Sequence, residues 1–319
     1  EETYETLNNA EEIQEALGNV NGLFSEEQIG TLQTAKEARI ALGKLKNYKK
    51  EYEELWERLN SVIIELEDID DAVTMAELFR DNGWASLMVG KWHLCKDAHL
   101  SDAGPRHSWP LQKGFERYYG ILDGFTNFHQ PHRLYEDNHH IPVDQYPDDY
   151  YFTDDLTDQA IHMIDEVRAS HPTKPFFLYF SHGAVHAPLQ AKAEDIEKYR
   201  GMYDAGWDEI RRQRFERQLE LGIVGPHTQL PPRNQEDGHA VGAWDELAGD
   251  EKRVFARYME IFAAMVDNID QNLGRLRAHL EALGEWDNTI IVFTSDNGGS
   301  REGQELGTSA YFRTLVSQT

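Results

Sequence analysis

The sequence predicts an α/β protein with a mostly parallel sheet flanked by helices, preceded by an all-α segment. Two observations carry this prediction. All 14 histidines and all 11 prolines lie after Thr74, so the chain divides by composition at that point. Beyond it, helix-like and strand-like patterns alternate three times, which is the order of a parallel sheet covered by helices. We therefore expect a helical segment over residues 1–74 and an α/β domain over residues 75–319.

The first segment has a heptad pattern between Leu45 and Ile69. Apolar residues recur alternately three and four positions apart, with charged residues between them. An earlier apolar pattern is interrupted at Asn21-Gly22 and at Gly30, which indicates helices that fold back on one another. The pattern predicts a coiled coil or helical hairpin, with self-association through residues 45–69.

The second segment predicts six elements from hydrophobic periodicity and turn residues. The helices are expected over residues 75–83, 156–170 and 251–284, and the strands over 84–90, 175–181 and 289–295. A charged stretch with three prolines, residues 201–250, is expected to run over the surface.

Charge, apolar runs and cysteine usage narrow the classes of function. The chain has 31 basic and 57 acidic residues in a total of 319, a net charge of -26, so nucleic acid and anionic membranes are not expected as partners. No apolar run reaches the roughly 18 residues of a transmembrane helix. A single cysteine, Cys95, excludes an internal disulfide. The N-terminal sequence lacks the features of a signal peptide, which favours the cytoplasm for the chain as written.

Polar residues follow each of the three predicted strands. Because the carboxyl ends of parallel strands meet at one edge of a sheet, these residues are expected to converge although they are far apart in sequence. They are Lys91, Trp92 and His93 after the first strand, His182 and His186 after the second, and Asp296, Asn297, Gly298 and Gly299 after the third.

These residue types suit an anion held beside a hard cation. Asp296 and Asn297 offer oxygen ligands for calcium or magnesium. Lys91 is a compact positive charge for a sulfate or phosphate oxygen, and His93 and His186 can donate hydrogen bonds to that anion or protonate a leaving group. Each cluster by itself is also compatible with an ordinary polar loop. It is the repetition of such clusters at three strand ends that favours the functional interpretation.

Three stretches of the second segment resemble the sulfatases, a family of the alkaline phosphatase superfamily. They are NGWASLMVGKWHL, PFFLYFSHGAVHAPLQAK and IIVFTSDNGG. The resemblance implies an alkaline-phosphatase-like fold, hydrolysis of a sulfate ester, calcium bound by Asp296 and Asn297, and contacts from Lys91, His93 and His186 to the sulfate. It also implies a location in the periplasm or outside the cell, because family members are often exported.

The sequence departs from that family pattern in two places. In the family, two features precede the GKWHL stretch: a strand that ends in two aspartate ligands, and a C-x-[PA]-x-R motif. The cysteine of that motif becomes the formylglycine nucleophile. Neither feature occurs in this sequence. Residues 1–74 stand there instead, and the words LNNAEEIQEAL and YEELWERLNSVIIELEDIDDAV resemble the region beside the coiled coil of RecN-type DNA-repair ATPases. The second segment thus resembles an incomplete sulfatase domain, for which we predict no useful turnover.

Two alternatives stay open at the level of sequence. The same scaffold could serve a phosphate or phosphonate ester, because the superfamily shares its metal and anion site. A non-catalytic interaction protein that assembles through its coiled coil is the other alternative. The resemblance implies that variable loops, here residues 97–150 and 201–250, recognise the alcohol part of the ester, and their sequence does not indicate which alcohol.

Overall fold

The computed structural model describes residues 73–96, 99–101, 103–235, 240–295 and 298. The predicted coiled coil and the candidate metal ligands Asp296 and Asn297 lie outside the described residues. The helices are α1 (Met75–Asp81), α2 (Phe152–Ser170), α3 (Ala193–Glu197), α4 (Gly206–Glu220) and α5 (Gly249–Ala282). The strands are β1 (Ala85–Lys91), β2 (Arg117–Ile121), β3 (Leu134–Glu136), β4 (His139–Ile141) and β5 (Phe176–Ser181).

The five strands form one sheet in the order β4-β3-β2-β1-β5. The longest strand, β1, lies between β2 and β5 and is parallel to both. The short strands β3 and β4 extend the sheet beyond β2 as an antiparallel hairpin. The described part of the chain thus confirms the predicted class, a mostly parallel sheet flanked by helices.

Two hydrophobic clusters cover the two faces of this sheet. The α2–α5 core joins Leu87 and Val89 of β1 to the buried faces of α2 and α5. The α1-side core joins Met88 of the same strand to Trp109 and Tyr118. Because alternate residues of β1 are buried on opposite faces, the strand has a predominantly apolar sequence, as expected of a central parallel strand.

Helix α1 begins with a capping box that its sequence encodes. The Thr74 hydroxyl accepts a hydrogen bond from the Glu77 backbone N–H at 3.1 Å, and the Glu77 carboxylate accepts one from the Thr74 N–H at 2.7 Å. The helix ends at Asp81, before Asn82-Gly83, where Gly83 has φ 85°. This reciprocal cap fixes the chain direction as it enters β1.

Helix α5 packs against α2 and α3 through polar as well as apolar residues. The Asn272 side-chain amide donates to the Asp154 carboxylate at 2.7 Å, and Asn268 donates to the same carboxylate at 3.2 Å. The Lys192 ammonium donates to its other oxygen at 3.0 Å. This network ties α5 to α2 and to the segment that follows β5, so it holds the helix in a single register.

The expected strand over residues 289–295 is wrong for the described residues. The structure assigns no strand there, and Ile290, Val292 and Phe293 are 91%, 83% and 73% exposed. A strand forms only by pairing, and β5, the last strand of the described sheet, pairs with β1 alone. The apolar run of this stretch therefore has no described neighbour to pack against.

Two further stretches differ from expectation in detail. Residues 97–150, expected to be variable loops, contribute β2, β3 and β4. Residues 201–250 form α4, whose exposed faces have charged pairs such as Arg212 with Glu209, followed by an irregular stretch that returns to α5. The surface path of this region is confirmed, with a helix in place of a loop.

Candidate active site

Lys91 is the last residue of β1 and lies at the carboxyl end of the central strand. The glycine before it is required by the sheet. Gly90 has φ 110°, and a Cβ on it would stand 1.7 Å from the Ser181 carbonyl oxygen. Only glycine therefore allows β1 and β5 to pair up to the position where Lys91 emerges.

The strand ladder continues past β1 and places the next two residues. The Trp92 N–H donates to the Ile121 carbonyl at 2.9 Å, and the His93 N–H donates to the Leu122 carbonyl at 3.1 Å. The Trp92 ring is buried, and its Nε1 donates to the Ser108 carbonyl at 2.8 Å. His93 has φ 51°, so the backbone turns there and the side chain is exposed.

The loop after β2 brings together residues from two strand ends. The His93 ring lies against the Gly124 backbone, where a Cβ would stand 2.7 Å from ring atoms Cε1 and Nε2. The next residue, Phe125, stacks on His186, with ring centroids 6.1 Å apart and planes 9° apart. Two adjacent loop residues thus contact one predicted histidine each, which brings the ends of β1 and β5 to a common place.

The orientation of His186 is set by its own chain. Its backbone N–H donates to the Gly183 carbonyl at 3.2 Å, and its Nδ1 lies 2.7 Å from the Ala187 carbonyl. A carbonyl only accepts, so Nδ1 bears a proton in this arrangement. In the neutral ring Nε2 is then the basic nitrogen, and in the imidazolium it is a second donor.

His182 differs from the other two histidines in being shielded. Both ring nitrogens are buried and have no hydrogen-bond partner among the described residues. Burial lowers the pKa of His182 to about 4, since the charged form loses its hydration. The ring stacks on Phe180 with centroids 4.2 Å apart. His182 is therefore neutral at pH 7 and cannot supply positive charge to an anion.

Sequence reasoning missed an ionic cluster beside β2. Asp123, buried at the carboxyl end of that strand, forms an ion pair with Arg133, and His132 Nε2 lies 3.6 Å from the same carboxylate. The Thr126 hydroxyl is 3.2 Å from His132 Nδ1. The sequence feature that could have revealed this cluster is the Asp-Gly pair shortly after RYYGI. It indicates a strand end once β2 is recognised as a strand. The cluster anchors the loop that contains Gly124 and Phe125.

The described residues do not make a metal site. No group of three or more His, Cys, Asp or Glu side chains that could hold a metal ion occurs in the described part of the chain. Cys95 is half-buried and packs against the α1-side core, and its sequence context is not the formylglycine motif. Neither calcium nor a formylglycine nucleophile therefore has a fitting set of residues among those described.

The fold and the site define an α/β protein in which a lysine and two histidines follow parallel strands, at the edge where open sheets of this kind bind their ligands. Residues 60–317 match the family model described as Sulfatase. The chain is 35% identical over 248 residues to an uncharacterized sulfatase of Schizosaccharomyces pombe and 32% identical over 244 residues to an arylsulfatase of Klebsiella aerogenes, each match covering 74% of this chain. The chain belongs to the sulfatase family, within the alkaline phosphatase superfamily.

The chain spans less than half the length of these relatives, 42% and 49% respectively. It is also 26% identical to an N-acetylglucosamine-6-O-sulfatase of Bacteroides thetaiotaomicron, over 72% of this chain and 44% of that one. Among solved structures, a crystal structure of Ps i-CgsB in complex with k-i-k-neocarrahexaose aligns over 75% of this chain and 42% of that chain, with 24% identity and a TM-score of 0.47. No helix in the described part of the chain has the length and apolar character to cross a membrane.

Proposed function

We propose that this chain has the anion site of a sulfuric ester hydrolase and binds the sulfate group of a small-molecule or glycan sulfate ester. The supporting observation is that His93 and His186 contact two adjacent loop residues, Gly124 and Phe125, in a chain of the sulfatase family. His93 lies two residues after Lys91. Lys91 would neutralise charge on a sulfate oxygen, and His93 and His186 would donate hydrogen bonds to the sulfate.

In hydrolysis of R–O–SO₃⁻ the oxygen of water bonds to sulfur as the S–O bond to the alcohol breaks. A proton passes to the leaving oxygen, and the products are the alcohol and hydrogen sulfate. The Nδ1 of His186 is held by the Ala187 carbonyl. Its Nε2 is then the atom that would hold that proton and pass it to the alcohol. Charge on the sulfate oxygens would be stabilised by Lys91 and His93, which are fixed by the ladder between β1 and β2.

Formylglycine, where present in the family, supplies the nucleophile, and this sequence lacks its motif. We therefore propose binding without useful turnover, because losing a nucleophile that acts together with its neighbours costs on the order of 10⁶ in rate. Calcium binding by Asp296 and Asn297 is part of the proposal, and its strength should be low because affinity follows the number of charged ligands.

The test combines binding and turnover. Inorganic sulfate is titrated calorimetrically into the chain and into Lys91→Ala, with Lys174→Ala as a matched control, since Lys174 precedes β5 at the opposite edge of the sheet. We expect Lys91→Ala to weaken sulfate binding about tenfold and Lys174→Ala to leave it unchanged. Equal affinities in all three chains would reject Lys91 as a sulfate ligand.

The same chains are assayed on 4-nitrophenyl sulfate with and without calcium, beside Asp296→Ala. We expect no turnover above background. Calcium-dependent turnover that disappears in Lys91→Ala and Asp296→Ala would show that the site works without the family nucleophile. Inorganic phosphate is titrated in the same way. If phosphate bound more tightly than sulfate, a phosphate ester would be favoured as the ligand.

A further inference from the structure

Lys91 ends β1 and His182 directly follows β5, so the two residues lie at the same edge of the sheet. The register pairs Val89 with Phe180 and Gly90 with Ser181, so the next position along it sets Lys91 opposite His182. Side chains alternate along a strand, and Val89 and Phe180 both pack in the α2–α5 core. Phe180 and His182 share that face, as their stacked rings 4.2 Å apart also show.

The buried imidazole of His182 lowers the stability of the folded chain when no ligand is bound. Both of its nitrogens are shielded from water, and neither has a hydrogen-bond partner among the described residues. A buried polar group without a partner loses the hydrogen bonds it made to water and regains none. Such a group in a native fold needs an explanation, and a place beside a candidate ligand-binding lysine supplies one.

The chemistry of the ring restricts what it can bind. Burial holds the pKa of His182 at about 4, so the ring is neutral at pH 7, with one N–H donor and one acceptor nitrogen. A sulfate group only accepts hydrogen bonds, so it can satisfy the donor nitrogen and not the acceptor. A hydroxyl group can donate to the acceptor nitrogen, which no sulfate oxygen can satisfy.

We propose that His182 is a specificity-determining residue that hydrogen-bonds a hydroxyl group on the alcohol part of the ester, next to the sulfate held by Lys91. This inference rests on the proposed function, which supplies the sulfate site. It adds that the ligand has a hydroxyl group close to the ester oxygen. An ester without that group leaves the acceptor nitrogen of His182 unsatisfied and binds more weakly.

Two sulfate esters of one ring size test this. In myo-inositol monosulfate all the remaining ring carbons bear a hydroxyl group, and in cyclohexyl sulfate none of them does. Both are titrated calorimetrically, with inorganic sulfate, into the chain, His182→Phe and His182→Gln. Phenylalanine keeps a flat ring on Phe180 and has no polar atoms, and glutamine restores a neutral donor and acceptor.

We expect the unmodified chain to bind inositol monosulfate at least tenfold more tightly than cyclohexyl sulfate. His182→Phe should bring that ratio near one, leave inorganic sulfate within about twofold and raise the unfolding midpoint. His182→Gln should recover part of the ratio. An unchanged ratio in His182→Phe, or equal weakening of all three ligands, would overturn the inference.

The two proposals fail separately in this experiment. A chain that binds inorganic sulfate without preferring inositol monosulfate keeps the proposed function and loses the role of His182. A chain that binds none of the three ligands loses both. Circular dichroism and the unfolding midpoint of each variant show whether a loss of binding reflects a loss of fold.

Discussion

The Phe125 ring lies parallel to the His186 imidazole, 6.1 Å away and tilted by only 9°. This contact joins the loop after β2 to the segment after β5, two parts of the chain about 60 residues apart. Because His186 is also held at Nδ1 by the Ala187 carbonyl, the aromatic face of Phe125 is its second constraint. The position of the proposed proton donor thus depends on a residue that has no polar chemistry of its own.

Replacing Phe125 with alanine should loosen His186. We expect sulfate affinity to fall about two- to tenfold, since one aromatic contact is worth about 0.5–1.5 kcal/mol. Calorimetric titration with inorganic sulfate measures this. The matched control is Phe255→Ala, on α5, where Phe255 contacts Trp207. If both alanine variants weakened sulfate binding equally, the stacking on His186 would not be the cause.

Gly124→Ala should displace His93. The new Cβ would stand 2.7 Å from two atoms of the His93 ring, closer than carbon atoms approach in proteins. The ring must move, and we expect sulfate affinity to fall several-fold. Gly242→Ala is the control, because nothing lies within 4 Å of its Cβ position. Unchanged affinity in Gly124→Ala, with the fold intact by circular dichroism, would mean that His93 does not contact the anion.

Trp92→Phe should lower the free energy of unfolding. The buried indole Nε1 donates to the Ser108 carbonyl at 2.8 Å, and phenylalanine removes the donor while that carbonyl stays buried. We expect a loss of about 1–3 kcal/mol. Urea denaturation followed by circular dichroism gives the value. A variant as stable as the unmodified chain would show that water or another group satisfies the Ser108 carbonyl.

Hydrophobic periodicity located the parts of the fold that are strongly periodic. β1 and β5 were predictable because both are short stretches dominated by apolar residues, and α2 and α5 because apolar residues recur along one face. β3 and β4 were not, since strands of three residues leave no countable pattern. The stretch 289–295 shows the opposite failure, because its short apolar run is typical of a buried strand and pairing decides whether a strand forms.

The candidate site was predictable in its residue types and not in its contacts. Lys91, His93 and His186 follow apolar runs, and this placement is visible in sequence. That Gly124 and Phe125 connect two of them depends on β2, whose sequence RYYGI is too short to separate from a loop. The isolation of His182 could not be predicted either, because a lack of partners is a property of the packed chain.

His182 should also make stability depend on pH. Its folded pKa of about 4 lies below the ordinary value of 6.5, so the unfolded chain binds more protons between these values. Stability attributable to this group is therefore fully present above pH 6.5 and is lost as the pH falls towards 4. By pH 5 the loss should amount to about 2 kcal/mol, at about 1.36 kcal/mol for each pKa unit.

The measurement is the free energy of unfolding from urea titrations at pH 7.5 and pH 5.0, in the unmodified chain and in His182→Phe. Carboxylates titrate in both chains, so only the difference between the two reports on His182. The unmodified chain should lose about 2 kcal/mol more than His182→Phe over this interval. Parallel losses would mean that His182 is hydrated in solution and titrates near its ordinary pKa. In that case the ring would need no ligand to satisfy it.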